Sequence, residues 1–274
     1  MNTDVKTHYS GDGALSDAIA KSLSNAGFDL ANLKTTDLTS IDEFHIRGRK
    51  ATLELAEQMH IGENALVLDV GSGLGGPART IAEVYGCQVK GIDLTDEFCN
   101  VANTLSGWVG LSDKVTFHQG DATAIAFDDN MFDAAMTIHV AMNILDKLKV
   151  YTEVRRVLKP SGIFAAYDVV QGEGGEVLFP VPWAREPSIS HLATPHEMES
   201  LLNDAGFEIL KIIDSTEESQ SWFETVTVKT AGSGPPVRTS QVLFGDVFPQ
   251  MAQNQVRNLA ERRIRTVSYM CSNK

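Results

Sequence analysis

The chain has 274 residues, 43% of them hydrophobic and 22% charged, with 22 Gly and 9 Pro, the profile of one large globular domain or two small ones. Its 23 basic against 36 acidic side chains leave a net charge of -13, a field that repels polyanions and argues against nucleic acid or an anionic membrane as a partner. Cys87, Cys99 and Cys271 lie too far apart for paired metal-ligand spacing or a disulfide framework, and no run approaches the roughly 18 apolar residues of a membrane span, so the expectation is a soluble, unexported, cytoplasmic protein without a metal.

Residues 1 to about 60 carry apolar side chains at helical spacing (Leu15, Ile19, Leu23, then Leu53, Leu55, Met59) and read as an N-terminal helical cap. From about residue 61 to 215, short Val/Ile/Leu/Phe runs alternate with amphipathic stretches, the pattern of a parallel sheet flanked by helices. The spacing predicts strands at 65–70, 88–93, 114–118, 132–138, 162–169 and 207–214. A Gly/Pro-containing loop, Gln171 to Ser190, precedes Thr194-Pro195-His196-Glu197, a capping box that opens a helix ending at Gly206. Residues 216–274 hold a Gly/Pro linker (Gly232 to Pro236), a helix from about Val242 to Arg262 and a closing strand over Thr266 to Cys271, and read as a lid insertion completing the same domain. The segments around Tyr9 to Phe44, Gln171 to Ser190 and Thr216 to Pro236 are expected to cover the site as a lid.

The segment Val67-Leu68-Asp69-Val70-Gly71-Ser72-Gly73-Leu74-Gly75-Gly76 is a buried strand ending in a glycine-rich turn that opens a helix, which lets a ligand approach backbone N–H groups. Gly71, Gly73 and Gly76 satisfy G-x-G-x-x-G, and Asp93 ends the next strand where a ribose-binding acid belongs. Taken alone, the loop fits NAD, another adenosine cofactor or a purely structural turn. Asp69 shifts the balance: a carboxylate here is awkward beside a pyrophosphate and natural beside the ammonium and sulfonium of S-adenosylmethionine. Gly120-Asp121-Ala122, after the third strand, adds a carboxylate able to accept from an exocyclic amine such as adenine N6, with a turn or capping aspartate as the plainer reading.

Together with Gly91-Ile92-Asp93, Phe132-Asp133 and Arg156-Val157-Leu158-Lys159-Pro160-Ser161-Gly162, these motifs stand in an order and spacing that resemble class I S-adenosylmethionine-dependent methyltransferases over about 150 residues. The resemblance implies an α/β, doubly wound, Rossmann-like fold with a seven-stranded sheet and an antiparallel last strand. It implies a cofactor-binding set of Asp69, Gly71, Gly73 and Gly75 at the methionine end, Asp93 and Leu94 at the ribose, Asp121 and Ala122 at the adenine. Leu74-Gly75-Gly76-Pro77-Ala78-Arg79 and the N-terminal helices look like the small-molecule branch that includes sarcosine/dimethylglycine, phosphoethanolamine, tocopherol and sterol methyltransferases.

Methyl transfer requires collinear donor and acceptor in a dry pocket, plus a base where the acceptor must lose a proton. His139 and Asn143, just past the fourth strand, are the candidate catalytic pair, sharing a face if a helical turn begins there, with Tyr9 a third candidate and a carbonyl-bonded structural histidine the alternative for His139. Arg47 could bind the cofactor carboxylate or belong to a solvated charge cluster with Asp42, Glu43 and Arg49. Tyr9, Phe44, Phe179, Trp183, Trp222 and Phe223 could cage a cationic amine. His191 and His196, with no ligand-type partner at metal spacing, read as surface residues. The reading is a methyltransferase acting on a small soluble molecule, with an amine nitrogen of betaine or choline-precursor type preferred over an oxygen or carbon of a phenolic, quinone or isoprenoid acceptor. A cofactor-binding protein without transfer activity is the alternative of another class.

Overall fold

The computed structural model describes residues 15–230 and 244–274. Seven strands form one sheet: β1 Leu66–Val70, β2 Gln88–Asp93, β3 Val115–Gln119, β4 Phe132–Ile138, β5 Leu158–Gln171, β6 Phe207–Asp214 and β7 Ile264–Asn273, in the order β3-β2-β1-β4-β5-β7-β6. The pairs β1–β2, β1–β4, β2–β3 and β4–β5 are parallel, and β7 runs antiparallel to both β5 and β6. The six predicted early strands and the closing one are all present, so the doubly wound architecture and its antiparallel last strand are as expected from the motif order. Because the chain leaves β3 at one edge and re-enters the sheet at β4, the C-terminal ends of β1 and β4 flank a crevice, the place where ligands bind in open α/β sheets.

The helices are α1 Leu15–Asn25, α2 Thr35–Asp42, α3 Gly48–Met59, α4 Gly76–Tyr85, α5 Asp96–Trp108, α6 Lys147–Val157, α7 Pro195–Asp204, α8 Thr216–Thr230 and α9 Phe248–Ala260. α3 packs on the sheet: Ala51, Leu55, Ala56 and Met59 join Val67, Ala134, Met136 and Ala165 in one core. α1 and α2 form a further layer outside α5, burying Leu15, Ile19, Leu23, Leu38 and Ile41 against Phe98, Val101 and Leu105. Burial on this scale is worth about 1.5 to 3 kcal/mol per large aliphatic side chain, so this layer is an integral part of the core.

Two segments differ from the sequence expectation. α8 is a helix where the sequence suggests none, because the β-branched run Thr225-Val226-Thr227-Val228 alternates as a strand would. Its start is fixed by polar contacts instead: Asp214 Oδ1 accepts the Thr216 N–H at 2.9 Å, and the Ser219 and Thr266 hydroxyls, 2.8 Å apart, tie it to β7. The loop after β5 is firmly packed, with Val181, Trp183, Ala184 and Ile189 buried together with Ile46, Met142, Val169 and Leu259. The linker Gly232 to Pro236 and the start of the last predicted helix, Val242, lie outside the described residues; within them that helix is a 3-10 turn, Gly245–Val247, followed by α9.

Candidate active site

β1 delivers Asp69 to the crevice, and the glycine turn folds back over β2, with the Gly71 and Ser72 N–H groups donating to Ile92 O at 2.8 and 3.0 Å. Gly71 has φ +75°, and a Cβ there would fall 2.4 Å from Val140 Cγ2, so no side chain fits between the turn and the end of β4. Gly73 donates its N–H to Asp93 Oδ2 at 2.9 Å, and Asp93 Oδ1 accepts the Thr95 N–H at 2.9 Å. Gly75 plays a different part from the one expected. Its absent Cβ would strike Phe117 Cζ at 2.3 Å, and it does not line the cavity, so it closes the turn against the protein interior.

A cavity of about 960 Å³ opens over this turn. Asp69, Gly71, Gly73, Asp93, Leu94, Asp121 and Ala122 line one end of it. Asp121 Oδ1 accepts both the N–H and the hydroxyl of Thr123 at 2.8 Å, so this residue shapes its turn as well as facing the cavity. Asp69 is buried with one carboxylate oxygen lacking any hydrogen-bond partner, and Ser72 Oγ is likewise unpartnered. Burial first, and the Asp93 charge second, push the Asp69 carboxyl up to about 8. A buried acid with an open acceptor site is what an incoming ammonium would satisfy, so these residues fit the methionine end of S-adenosylmethionine.

Arg79 fixes the turn from behind. Its guanidinium, 1% exposed, donates to Asp42 Oδ2 at 2.7 Å, to Ala102 O at 2.9 Å and to Leu74 O. This residue was not among the candidates, although a lone arginine between Ala78 and Thr80 on an apolar helix face is a readable sign of a buried, paired charge.

At the other end, His139 follows β4 with φ +55°, a left-handed conformation uncommon outside glycine and asparagine. Its N–H donates to Tyr167 O at 2.8 Å, and its ring lies 4.9 Å from that of Tyr167 and 5.8 Å from that of His45. Nε2 is buried without a partner, and burial together with His45 holds the imidazole well below its ordinary range, so it is neutral at pH 7. Asn143 ends a 3-10 turn, Ala141–Asn143, that begins after His139, so the two do not share a helical face. Its Nδ2 donates to Trp183 O at 2.8 Å and Ile189 O at 2.9 Å, which makes it a clamp on the loop after β5. His191 belongs to the same lacing rather than to the surface: it lines the cavity, and its N–H donates to Met142 O at 2.7 Å.

Arg47 is not brought to this cavity. It is 5% exposed, ion-paired with Glu54, and lines a separate cavity of about 150 Å³ with Lys50, Tyr167 and Lys211. Tyr9 lies outside the described residues. Of the other aromatics, Phe44 and Trp183 line the main cavity, whereas Trp222 and Phe223 meet edge to face with centroids 4.8 Å apart and Phe179 packs within the loop cluster.

The sheet order, the glycine turn and the row of acids at the ends of β1, β2 and β3 define a class I S-adenosylmethionine-dependent methyltransferase. Residues 68–166 match the family model described as a methyltransferase domain. The methyltransferase GfsG of Streptomyces halstedii is 31% identical over 191 residues, 67% of each chain, and the sterol 24-C-methyltransferase of Kluyveromyces lactis is 33% identical over 181 residues, 63% of this chain and 49% of that one. Among solved structures, phosphoethanolamine N-methyltransferase 2 of Haemonchus contortus superposes with a TM-score of 0.69 at 19% identity, over 93% of this chain and 60% of that one, a likeness of fold. The chain belongs to the S-adenosylmethionine-dependent methyltransferase family. It spans between 30% and 49% of the length of the first sterol methyltransferases that it matches.

Proposed function

We propose that this methyltransferase acts on a carbon of an apolar, alkene-bearing acceptor of isoprenoid type. The observation that carries the reading is the apolar lining that Ile138, Met142, Ile144 and Trp183 give the cavity to which the neutral His139 also contributes. Such a wall suits a hydrocarbon acceptor, and the names of the sterol 24-C-methyltransferases point the same way. The amine acceptor preferred from sequence has weaker support, because two of its six cage aromatics reach the cavity walls among the described residues. S-adenosylmethionine, the methyl donor, supplies an electrophilic methyl group when bound. Asp69, the Gly71–Gly73 turn and Asp93 would hold it, with Asp121 and Ala122 at the adenine end.

An alkene carbon that gains a methyl must give up one proton to restore a neutral product, and the neutral imidazole of His139, which lines the cavity, is the base proposed to take it. The apolar wall excludes water, so the proton passes to this group in preference to solvent. The same neutral base favours a second reading, methylation of a hydroxyl on an equally apolar acceptor. Incubation of the protein with methyl-labelled S-adenosylmethionine and a lipid extract tests both. Carbon NMR of the product separates a carbon-bound methyl, which supports the first reading, from a methoxy group, which supports the second. Label on an amine and none on lipid would overturn both.

A further inference from the structure

A chain of hydrogen bonds leaves the acceptor end of the cavity beside His139 and runs into the protein. His45 lines the cavity, edge-on to the His139 ring at 5.8 Å. Its Nε2 lies 3.0 Å from Gly48 O and 3.3 Å from Thr52 Oγ1. A carbonyl oxygen can only accept, so Nε2 carries the hydrogen and Nδ1 is the basic nitrogen. The Thr52 hydroxyl in turn donates to Glu43 Oε2 at 2.6 Å. Glu43 Oε1 accepts from the Thr80 hydroxyl, which accepts from Arg49 Nη1 at 2.7 Å, and Arg49 Nη2 pairs at 2.8 Å with Glu83, 43% exposed. The donors therefore converge on the buried Glu43 carboxylate, from the cavity side through His45 and Thr52 and from the surface ion pair through Arg49 and Thr80.

We propose that His45, Thr52 and Glu43 form a proton-release relay that carries the acceptor's proton from His139 to the Glu43 carboxylate. The inference rests on the reading above only in requiring an acceptor that loses a proton. Its balance is simple. No hydrogen bond joins the two rings directly, so the proton passes from His139 to His45 Nδ1 through the cavity that both line, the Nε2 hydrogen of His45 moves to Thr52 Oγ1, and the Thr52 hydroxyl hydrogen moves to Glu43 Oε2; one proton crosses and no co-reactant is needed. The relay residues act through His139 and are not the base themselves.

The surroundings suit each part. Burial and the neighbouring His45 keep His139 from holding a charge, and burial likewise holds His45 down to about 4, so neither imidazole traps the proton. Glu43 is pushed up to about 7 by burial and by Asp42, against the opposing effect of Arg49 and its hydrogen bonds from Thr52 and Thr80. Asp69 is also within electrostatic reach of Glu43, while Tyr167 and His139 face His45. A static clamp joining α2, α3 and α4 would need the hydrogen bonds but not a carboxyl that changes charge near neutrality.

The test uses the full chain saturated with S-adenosylhomocysteine, labelled at histidine nitrogens and glutamate carboxyl carbons and followed by NMR from pH 5 to 9. The expected result is the Nε2–H tautomer for His45, a Glu43 carboxyl that titrates near neutrality, and a His45 signal that follows that titration. Thr52→Val should break the coupling and Thr52→Ser should restore it. A second arm measures methyl transfer to a sterol bearing a side-chain alkene, where Thr52→Val should lower kcat by roughly tenfold or more at unchanged KM for the donor, with recovery in Thr52→Ser. An Nδ1–H tautomer for His45, or a Glu43 carboxyl that stays ionised down to pH 5, would overturn the relay. A wild-type chain inactive on the sterol overturns the acceptor reading alone, and the NMR arm still decides the relay.

Discussion

Asp93 grips the glycine turn through Gly73, accepting its N–H at 2.9 Å while the other carboxylate oxygen holds Thr95 at the same distance. The acid expected to meet the cofactor ribose is thus set in position by two backbone donors before any ligand arrives, which lowers the ordering cost of binding. Asp93→Ala removes that preorganisation together with the ribose acceptor. Calorimetry with S-adenosylhomocysteine should show a loss of about 1.5 to 3 kcal/mol, the range for hydrogen bonds to charged groups. Undiminished affinity would take Asp93 out of the cofactor contact.

The glycines of the turn should separate in their response to alanine. Gly75→Ala places a methyl against Phe117 and Arg79 at a positive φ, so it should lower thermal stability by several degrees whether or not cofactor is present. At Gly73 the nearest atom to a new Cβ is Phe44 Cζ at 3.8 Å, so the fold has room and the cost is mainly the φ of +52°. Gly73→Ala should therefore cost about 1 kcal/mol in stability and act more strongly on cofactor affinity, because the added methyl borders the cavity. Paired melting curves with and without S-adenosylhomocysteine distinguish the two.

Asp69 makes cofactor binding depend on pH. In the free protein its carboxyl titrates at about 8, raised by burial and by Asp93, and the arriving ammonium would pull it down, so binding below pH 8 releases a proton. Affinity should rise with pH from 6 to 8, by up to about tenfold per unit for one released proton. The folded free protein holds protons on Asp69, Glu43 and Asp168 that the unfolded chain has already lost, so its stability should fall as pH rises from about 6.5 to 8. Asp69→Asn should flatten the binding profile. A pH-independent affinity in wild type would show that Asp69 is ionised throughout.

The cofactor half of the site was legible in the sequence because its contacts are made by backbone turns and strand ends, which leave a mark in glycine spacing and in acids closing apolar runs. Asp69, Asp93 and Asp121 each sit where such a run stops. The other half depends on residues brought together from α2, β4 and the loop after β5. Glu43 reads in the sequence as part of a solvated charge cluster, yet α4 packs over it and supplies Thr80 as a partner. Arg47 was misread for a related reason: its left-handed backbone, φ +70°, turns the side chain to Glu54 and away from the cavity. No local pattern reports a φ of that kind at a non-glycine residue.

Asn143 should act as a clamp. Asn143→Ala deletes two hydrogen bonds and leaves the carbonyls of Trp183 and Ile189 short of a donor, a cost of about 1 to 3 kcal/mol. Hydrogen exchange should quicken across residues 181–191 while affinity for S-adenosylhomocysteine stays near wild type. Slower turnover with unchanged exchange would instead place the amide on the acceptor.

His139 is expected to take the acceptor's proton. Alanine alone would be a poor probe, because the left-handed backbone at φ +55° penalises most side chains, so His139→Asn serves better, asparagine tolerating that conformation while lacking a base. His139→Asn should fold with nearly wild-type affinity for S-adenosylhomocysteine and lose turnover by roughly 100-fold or more, the scale of a missing general base. The pH profile adds a second check. A base must be unprotonated to act, and His139 is held neutral well below the ordinary imidazole range by burial and by His45, so the one limb expected in turnover at saturating donor between pH 6 and 8 is that of Glu43 at about 7, and it should disappear in Thr52→Val. A limb centred near about 6.5, the value of an ordinary histidine, that persists in Thr52→Val would mean that the reacting group is exposed and that buried His139 is not the base. A variant that melts earlier but turns over at the wild-type rate would assign His139 to the packing of Tyr167 and His45 alone.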